Sequence, residues 1–379
     1  MAHILILGAG FGGVPTARRL RELLPDPHRI TLIDKRDEFM VGFRKTLALL
    51  GESTPEEGRR KLVDLRKFGI DFVRARIEEI DPAGLSATAG GHPYHGDAMI
   101  VALGADLDPD AIPGFREHAL SVYDPDLVEK NAARLQAFGG GRVLVGVFGK
   151  PYKCPPAPYE LAILLQEHFK KRALPAEITV FTPLPVSLPV LDATGCESMD
   201  RYMLDRGIRF LTQHTATRVE SGAVHFENGE ALEFDLLLGV APHRPPAVVR
   251  ESGLTGGAPW IKVDPFTLET AFPNVYAIGD VTVALMGNGD PLPKAGVFAE
   301  GGGLVAAERI AARIEGRTPA VRYDGDGGCF LEIGGGQAVM IRGQFLTEGG
   351  PQAELTPPSE KFMEEKWAFE RSRLEGWFG

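Results

Sequence analysis

Short apolar runs alternate with longer amphipathic segments along most of the chain. Residues 3–34, HILILGAGFGGVPTARRLRELLPDPHRITLID, set the pattern. An apolar run at Ile4–Leu7 enters a glycine-rich turn, a stretch with helical spacing follows, and a second apolar run ends at Asp34. Those periods predict strand, helix, strand. Residues 139–246 repeat the alternation. RVLVGVFG reads as a strand, PYELAILLQEHFKK as a helix with Leu161, Ile163, Leu164 and Leu165 on its apolar positions, and EITVFTP as the next strand. Strands alternating with helices predict an α/β fold with two doubly wound domains.

The first unit fixes what its turn is for. Gly8, Gly10 and Gly13 form G-x-G-x-x-G between a strand and a helix. Gly8 permits the tight turn, Gly10 lets the backbone approach a pyrophosphate, and Gly13 lets helix pack on strand. The helix N-terminus then faces the phosphates. Asp34, about 20 residues on, is placed for ribose hydroxyls. This is a dinucleotide site on a Rossmann-like domain. Further on, TAFPNVYAIGDV (270–281) reads as a strand at Val275–Ile278 ended by Gly279-Asp280. Here the chain resembles the two-dinucleotide flavoprotein disulfide reductase superfamily, whose FAD-binding members place such an aspartate on the ribityl chain. DAMIVALGA (97–105), with Gly104, resembles that superfamily's second FAD fingerprint. The resemblance implies FAD, with Asp280 as a binding residue.

The second α/β unit lacks the matching signature. After RVLVGV the turn reads FGKPYKCPP, and the following strand ends in Phe181-Thr182-Pro183 rather than an acid or arginine. The architecture is expected there without an NAD(P)H site. The region after the second strand, EFMVGFRKTLALLG, contains no cysteine. That removes the usual redox thiols of disulfide reductases, and it predicts FAD held non-covalently.

Composition narrows the remaining chemistry. The net charge of −10 argues against nucleic acid as a partner. Three cysteines, Cys154, Cys196 and Cys329, are too few for a secreted disulfide scaffold, and none forms C-x-x-C. His92 and His95 in GHPYHG read as part of a Gly/Pro-rich turn, so no metal is expected. MAHILILGAG enters a strand at once, and no run of about 18 apolar residues occurs. The expectation is a cytoplasmic protein, or one held peripherally on the cytoplasmic membrane.

KCPPAPYE, around Cys154, resembles the flavin subunit of flavocytochrome c sulfide dehydrogenase. YDGDGGCFLE, around Cys329, resembles the matching segment of sulfide:quinone oxidoreductases, as do WIKVDPFTLETAFPNVYAIGDV and LPKAGVFAEGGGLVAAERI. The resemblance covers nearly the whole chain. It implies that Cys154 and Cys329 meet over the flavin as a redox pair that oxidises sulfide, with Cys329 facing the ring and electrons passing to a quinone or a cytochrome. It also implies an acid–base role for Glu160, which a charge favourable to the helix dipole explains equally well. Lys294 in LPKAGV is the expected cation for reduced flavin. Lys150 and Lys153 flank Cys154, and cations with a helix N-terminus favour a thiolate. Cys196 reads as a packed residue. The family's third cysteine is not in its place, and the C-terminal membrane region is short. Two other readings share the fold: a type II NADH:quinone oxidoreductase, and a non-catalytic flavoprotein subunit.

The expected domains are a split FAD domain (1–115 and 260–320), an inserted second domain (116–259), and a C-terminal region (321–379). The tail places Phe362, Met363, Trp367, Leu374, Trp377 and Phe378 on one half of a helical wheel. Its charges cancel from Lys361 to Glu375, four basic against four acidic. Since membrane-surface helices are usually basic, packing on its own fold or on a second subunit of a homodimer is the stronger expectation.

Overall fold

A computed structural model describes residues 1–379. The first unit contains β1 (His3–Leu7), α1 (Gly13–Leu23), β2 (Arg29–Asp34), α2 (Arg44–Leu50), β3 (Asp71–Arg74) and β4 (Ala98–Val101). The second contains β5 (Leu120–Ser121), β6 (Gly141–Val147), α3 (Ala157–Lys171), β7 (Ala176–Phe181), β8 (Arg209–Leu211) and β9 (Leu236–Val240). The chain then returns through β10 (Val275–Ala277) and α4 (Gly296–Ile314). It ends in β11 (Asp326–Gly334), β12 (Gln337–Gln344), β13 (Gln352–Leu355) and α5 (Glu360–Phe378).

One parallel sheet has the order β10-β4-β1-β2-β3. Ile4–Leu7 are fully buried because both faces of this sheet are covered, which is why they read as an unbroken apolar run. The second parallel sheet has the order β5-β9-β6-β7-β8. Thus β10, remote in sequence, completes the first sheet, and its end lies beside the glycine turn after β1. On that side α4 crosses α1 closely. A Cβ on Gly303 would fall on the Thr16 hydroxyl and the Gly12 carbonyl, so only glycine permits the approach.

The last three strands form an antiparallel sheet with Cys329 opposite Ile341. Leu331, Ile333, Val339 and Ile341 pack into the same core as α3. Helix α5 returns to the first core with Leu374, Trp377 and Phe378. The tail therefore packs on its own fold. The wheel is only partly right, because Phe362, Met363 and Trp367 are half-buried while the charged Lys366 and Glu370 are buried. His92–His95 is an edge strand, not a turn. The turn falls on Gly90 and Gly91, whose φ values of +57° and +76° suit glycine.

Candidate active site

The glycine turn is built as a phosphate cradle. Gly8 has φ +106°, and a Cβ there would strike the Ala102 carbonyl from β4's end. A Cβ on Gly13 would fall on the Gly8 carbonyl oxygen. At Gly10, by contrast, nothing lies within 4 Å of the Cβ position, so the space above it is open. Asp34 at the end of β2 accepts from the Ala9 N–H at 2.7 Å and the Arg36 N–H at 2.8 Å, which fixes its carboxylate at the turn.

That turn opens into a cavity of about 360 Å³. Its walls include Gly10, Gly104, Cys154, Glu160, Gly279, Asp280, Lys294 and Cys329, so it gathers eight of the eleven predicted site residues. A shallower depression between Pro189–Asp192 and Arg342–Glu354, about 750 Å³, carries none of them. Asp280 faces the cavity; burial raises its carboxyl, against the pull of Lys153, Lys294 and Lys45. Lys294 is buried, and its Nζ donates to the carbonyls of Asp280 (2.6 Å) and Thr282 (2.9 Å), 3.5 Å from the centre of the Trp260 ring. Burial pulls its ammonium down to about 8. These residues fit FAD: an open turn for the pyrophosphate, an acid at the end of β2 and a second acid at the end of β10.

Cys154 and Cys329 are 175 positions apart in sequence, yet both line this cavity, close enough that each shifts the other's titration. Both are free thiols and half-buried. Cys154 precedes the N-terminus of α3, in a left-handed conformation with φ +52°. For a residue with a Cβ that conformation costs of order 1–3 kcal/mol. Three bonds hold it: the Cys154 N–H donates to the Lys294 carbonyl (2.7 Å), and its own carbonyl accepts from the Ala157 N–H (3.0 Å) and the Tyr123 hydroxyl (3.0 Å). The neighbouring Cys329 lowers the Cys154 thiol against burial and Glu160, with Lys45 and Lys366 assisting. Cys154 and burial in turn push the Cys329 thiol well above its ordinary value. The pair therefore loses its first proton readily and holds its second, with Lys45 and Lys366 favouring the anion at Cys154.

The cations differ from those the sequence offered. Lys150 is exposed. Lys153 lines the cavity but faces Asp280, the strongest charge acting on it. Lys45 from α2 and Lys366 from α5 supply the charge at the sulfur. Burial brings Lys45 down to about 8, with Lys153 adding to the depression. Neither lysine stands near Cys154 in sequence, so local spacing carries no signal for them.

Glu160 in the first turn of α3 is 5% exposed, too deep for a simple helix-dipole charge. Its Oε2 accepts from the Glu332 N–H (2.7 Å) and its Oε1 from Lys366 Nζ (3.1 Å). Lys366 also donates to Glu332 Oε2 at 3.2 Å. Burial pulls the Lys366 ammonium down, and Glu160 and Glu332 more than offset it, leaving it above lysine's ordinary value. Phe11, Phe330 and Phe369 complete an aromatic wall. Cys196 is elsewhere, buried, its thiol directed at the Leu188 carbonyl (3.3 Å). No group of three or more His, Cys, Asp or Glu side chains is placed to hold a metal ion.

A model of the pyridine nucleotide-disulphide oxidoreductase family matches residues 2–303. The chain belongs to that family. It is an FAD-dependent oxidoreductase of sulfide:quinone oxidoreductase-like build. It is 25% identical over 365 residues to the mitochondrial sulfide:quinone oxidoreductase of Mus musculus, covering 91% of this chain and 79% of that one. It is also 25% identical over 365 residues to a type II NADH:quinone oxidoreductase of Staphylococcus aureus, covering 90% of each. The solved structure of the sulfide:quinone oxidoreductase from Aquifex aeolicus superposes with a TM-score of 0.90 at 23% identity, over 100% of this chain and 92% of that one. No helix is long and apolar enough to cross a membrane.

Proposed function

We propose that this enzyme oxidises sulfide through Cys154 and Cys329 and delivers the electrons to a quinone, or alternatively to a cytochrome. The observation that carries the reading is that Cys154 and Cys329, remote in sequence, line one cavity with Gly10 of the glycine turn and Asp280. In the oxidised pair, hydrosulfide attacks the S–S bond; one cysteine becomes a persulfide and the other leaves as a thiolate. Cys154 is the better leaving sulfur, because Lys45 and Lys366 favour its anion. When bound, FAD would supply the two-electron sink for joining the persulfide and the thiolate through the added sulfur; a second hydrosulfide would then carry that sulfur off as hydrodisulfide and restore the disulfide. Gly8, Gly10, Gly13, Asp34, Gly104, Gly279 and Asp280 would hold it, non-covalently, with Lys294 behind Asp280. Glu160 is the proposed acid–base group. The wall of Phe11, Phe330 and Phe369 suits a flat ring such as a quinone.

The relative named as a type II NADH:quinone oxidoreductase favours a second reading, with NADH as donor. Against it, the turn after β6 is filled. A Cβ on Gly149 would meet Pro242 at 3.0 Å, and Tyr152 is buried there with its hydroxyl on the Pro155 carbonyl. Anaerobic mixing of the yellow protein with sulfide or with NADH separates the readings. Bleaching of the flavin by sulfide is expected. Bleaching by NADH alone assigns the second reading, and bleaching by neither leaves a non-catalytic flavoprotein subunit. Cys154→Ser or Cys329→Ser should abolish the sulfide response and keep the colour, whereas Cys196→Ser should respond as wild type.

A further inference from the structure

Tyr123 has no part in the family resemblance and lies outside every motif in the sequence. Its ring is 8% exposed and packs with Val147, Tyr152 and Val240, edge-on to His243 at 6.0 Å. Tyr123 lines the cavity, and its hydroxyl donates to the Cys154 carbonyl at 3.0 Å. That carbonyl belongs to the one cysteine with a left-handed backbone. A residue with a Cβ leaves that region unless its surroundings hold it there. The Lys294 carbonyl fixes the N–H side of Cys154, and the Tyr123 hydroxyl, with the Ala157 N–H, fixes the carbonyl side.

We infer that Tyr123 is a positioning residue. By clamping the Cys154 carbonyl it holds the left-handed backbone that keeps the Cys154 side chain in the cavity it shares with Cys329. The inference rests on the cysteine-pair reading for its function, and on the geometry alone for its structure. Burial, with Cys154 and Cys329 nearby, keeps the phenol protonated well above its ordinary range, so it remains a donor wherever the thiol titrates. If the clamp is released, the Cys154 sulfur shifts away from Cys329, the neighbour that most favours its thiolate.

The test is the pH profile of Cys154 alkylation by iodoacetamide in the reduced, FAD-loaded enzyme, followed by peptide mass. In Tyr123→Phe the midpoint should rise by about one pH unit, a tenfold loss of thiolate below it. Tyr159→Phe is the control: it removes the hydroxyl of a still more deeply buried tyrosine, bonded to the Ser187 carbonyl at 2.8 Å, and should leave the midpoint in place. An unchanged midpoint in Tyr123→Phe, or the same rise in Tyr159→Phe, overturns the assignment. If Tyr123→Phe does not fold, a crystal structure of the reduced holoenzyme decides: a Tyr123 hydroxyl beyond hydrogen-bond distance of the Cys154 carbonyl refutes it. A wild-type enzyme whose flavin ignores sulfide refutes the proposed function instead, and the midpoint shift is still read.

Discussion

Glu160 and Lys366 meet across 206 positions of sequence, Oε1 to Nζ at 3.1 Å, and both side chains are almost fully buried. The pair ties the helix behind Cys154 to the C-terminal helix. Through Glu332 it reaches the strand that carries Cys329. One ammonium thus holds three elements in register around the two sulfurs.

Removing that ammonium should be costly. Lys366→Met leaves Glu160 and Glu332 facing each other in a dry site, and breaking a buried pair from one side typically costs about 3–5 kcal/mol. Thermal unfolding of the FAD-loaded variant should show a large drop in Tm. The double variant Lys366→Met/Glu332→Gln should recover part of it by removing one orphaned charge. A variant as stable as wild type would mean that the pair contributes nothing. The sign with pH follows from the raised ammonium. Its stabilisation is fully present below lysine's unfolded value of about 10.4 and is lost as pH rises through the higher folded value. The stability advantage of wild type over Lys366→Met should therefore persist through neutral pH and shrink in strong alkali, and also in acid as the buried Glu332 takes up its proton.

Lys45 acts on the other side of the sulfur. Its charge lowers the Cys154 thiol, and burial brings its own ammonium down to about 8. Lys45→Met should therefore raise the pH midpoint of Cys154 alkylation. The difference in rate from wild type should be largest below pH 8, where the lysine is charged, and should fade above it. A midpoint that stays in place would remove Lys45 from the site.

The fold was legible in the sequence because it is carried by local signals. Ile4–Leu7 followed by Gly8, Gly10 and Gly13 fixes strand, turn and helix over a dozen residues, and Asp34 closes the unit. Asp280 and the cysteines needed more, since each looks like an ordinary turn residue by itself. Only resemblance joined Cys154 to Cys329. Lys45, Lys366 and Tyr123 left no readable trace. A lysine in FRKTLALL or EEKWAFE reads as a solvated position on a helix, and its burial depends on which distant carboxylates the fold brings to it. Glu370 shows the same limit, for it looks solvent-facing until Arg44 Nε is found 2.7 Å away.

The glycine turn yields a contrast between two substitutions. At Gly10 the Cβ position is open, so Gly10→Leu should fold yet obstruct the pyrophosphate, giving a colourless, stable protein. At Gly13 the Cβ would collide with the Gly8 carbonyl, so Gly13→Ala should lower Tm as well as FAD content. A fully yellow Gly10→Leu protein would contradict the proposed pyrophosphate position. In wild type, acid denaturation should leave all flavin in the supernatant. Flavin carried down with the protein would show a covalent link.

The tail offers the clearest choice between surface and core. In α5, Trp377 and Phe378 enter the first core, while Glu370 pairs with Arg44 and Arg373 with Glu300 at 2.9 Å. Trp377 packs edge-on against Phe11 and Phe39, with ring centres 5.6 and 5.4 Å away. Trp377→Ala should therefore destabilise by about 3–5 kcal/mol, as deletion of a large core aromatic does. Deleting residues 359–379 should do worse, because it also takes Glu370 from Arg44, Lys366 from Glu160 and Glu332, and Arg373 from Glu300. A tail that served only to touch a lipid surface would behave differently. Its deletion would leave Tm in place and abolish flotation with anionic liposomes. The packing of Leu374, Trp377 and Phe378 predicts the first result, with an unfolding midpoint that falls whether or not lipid is present.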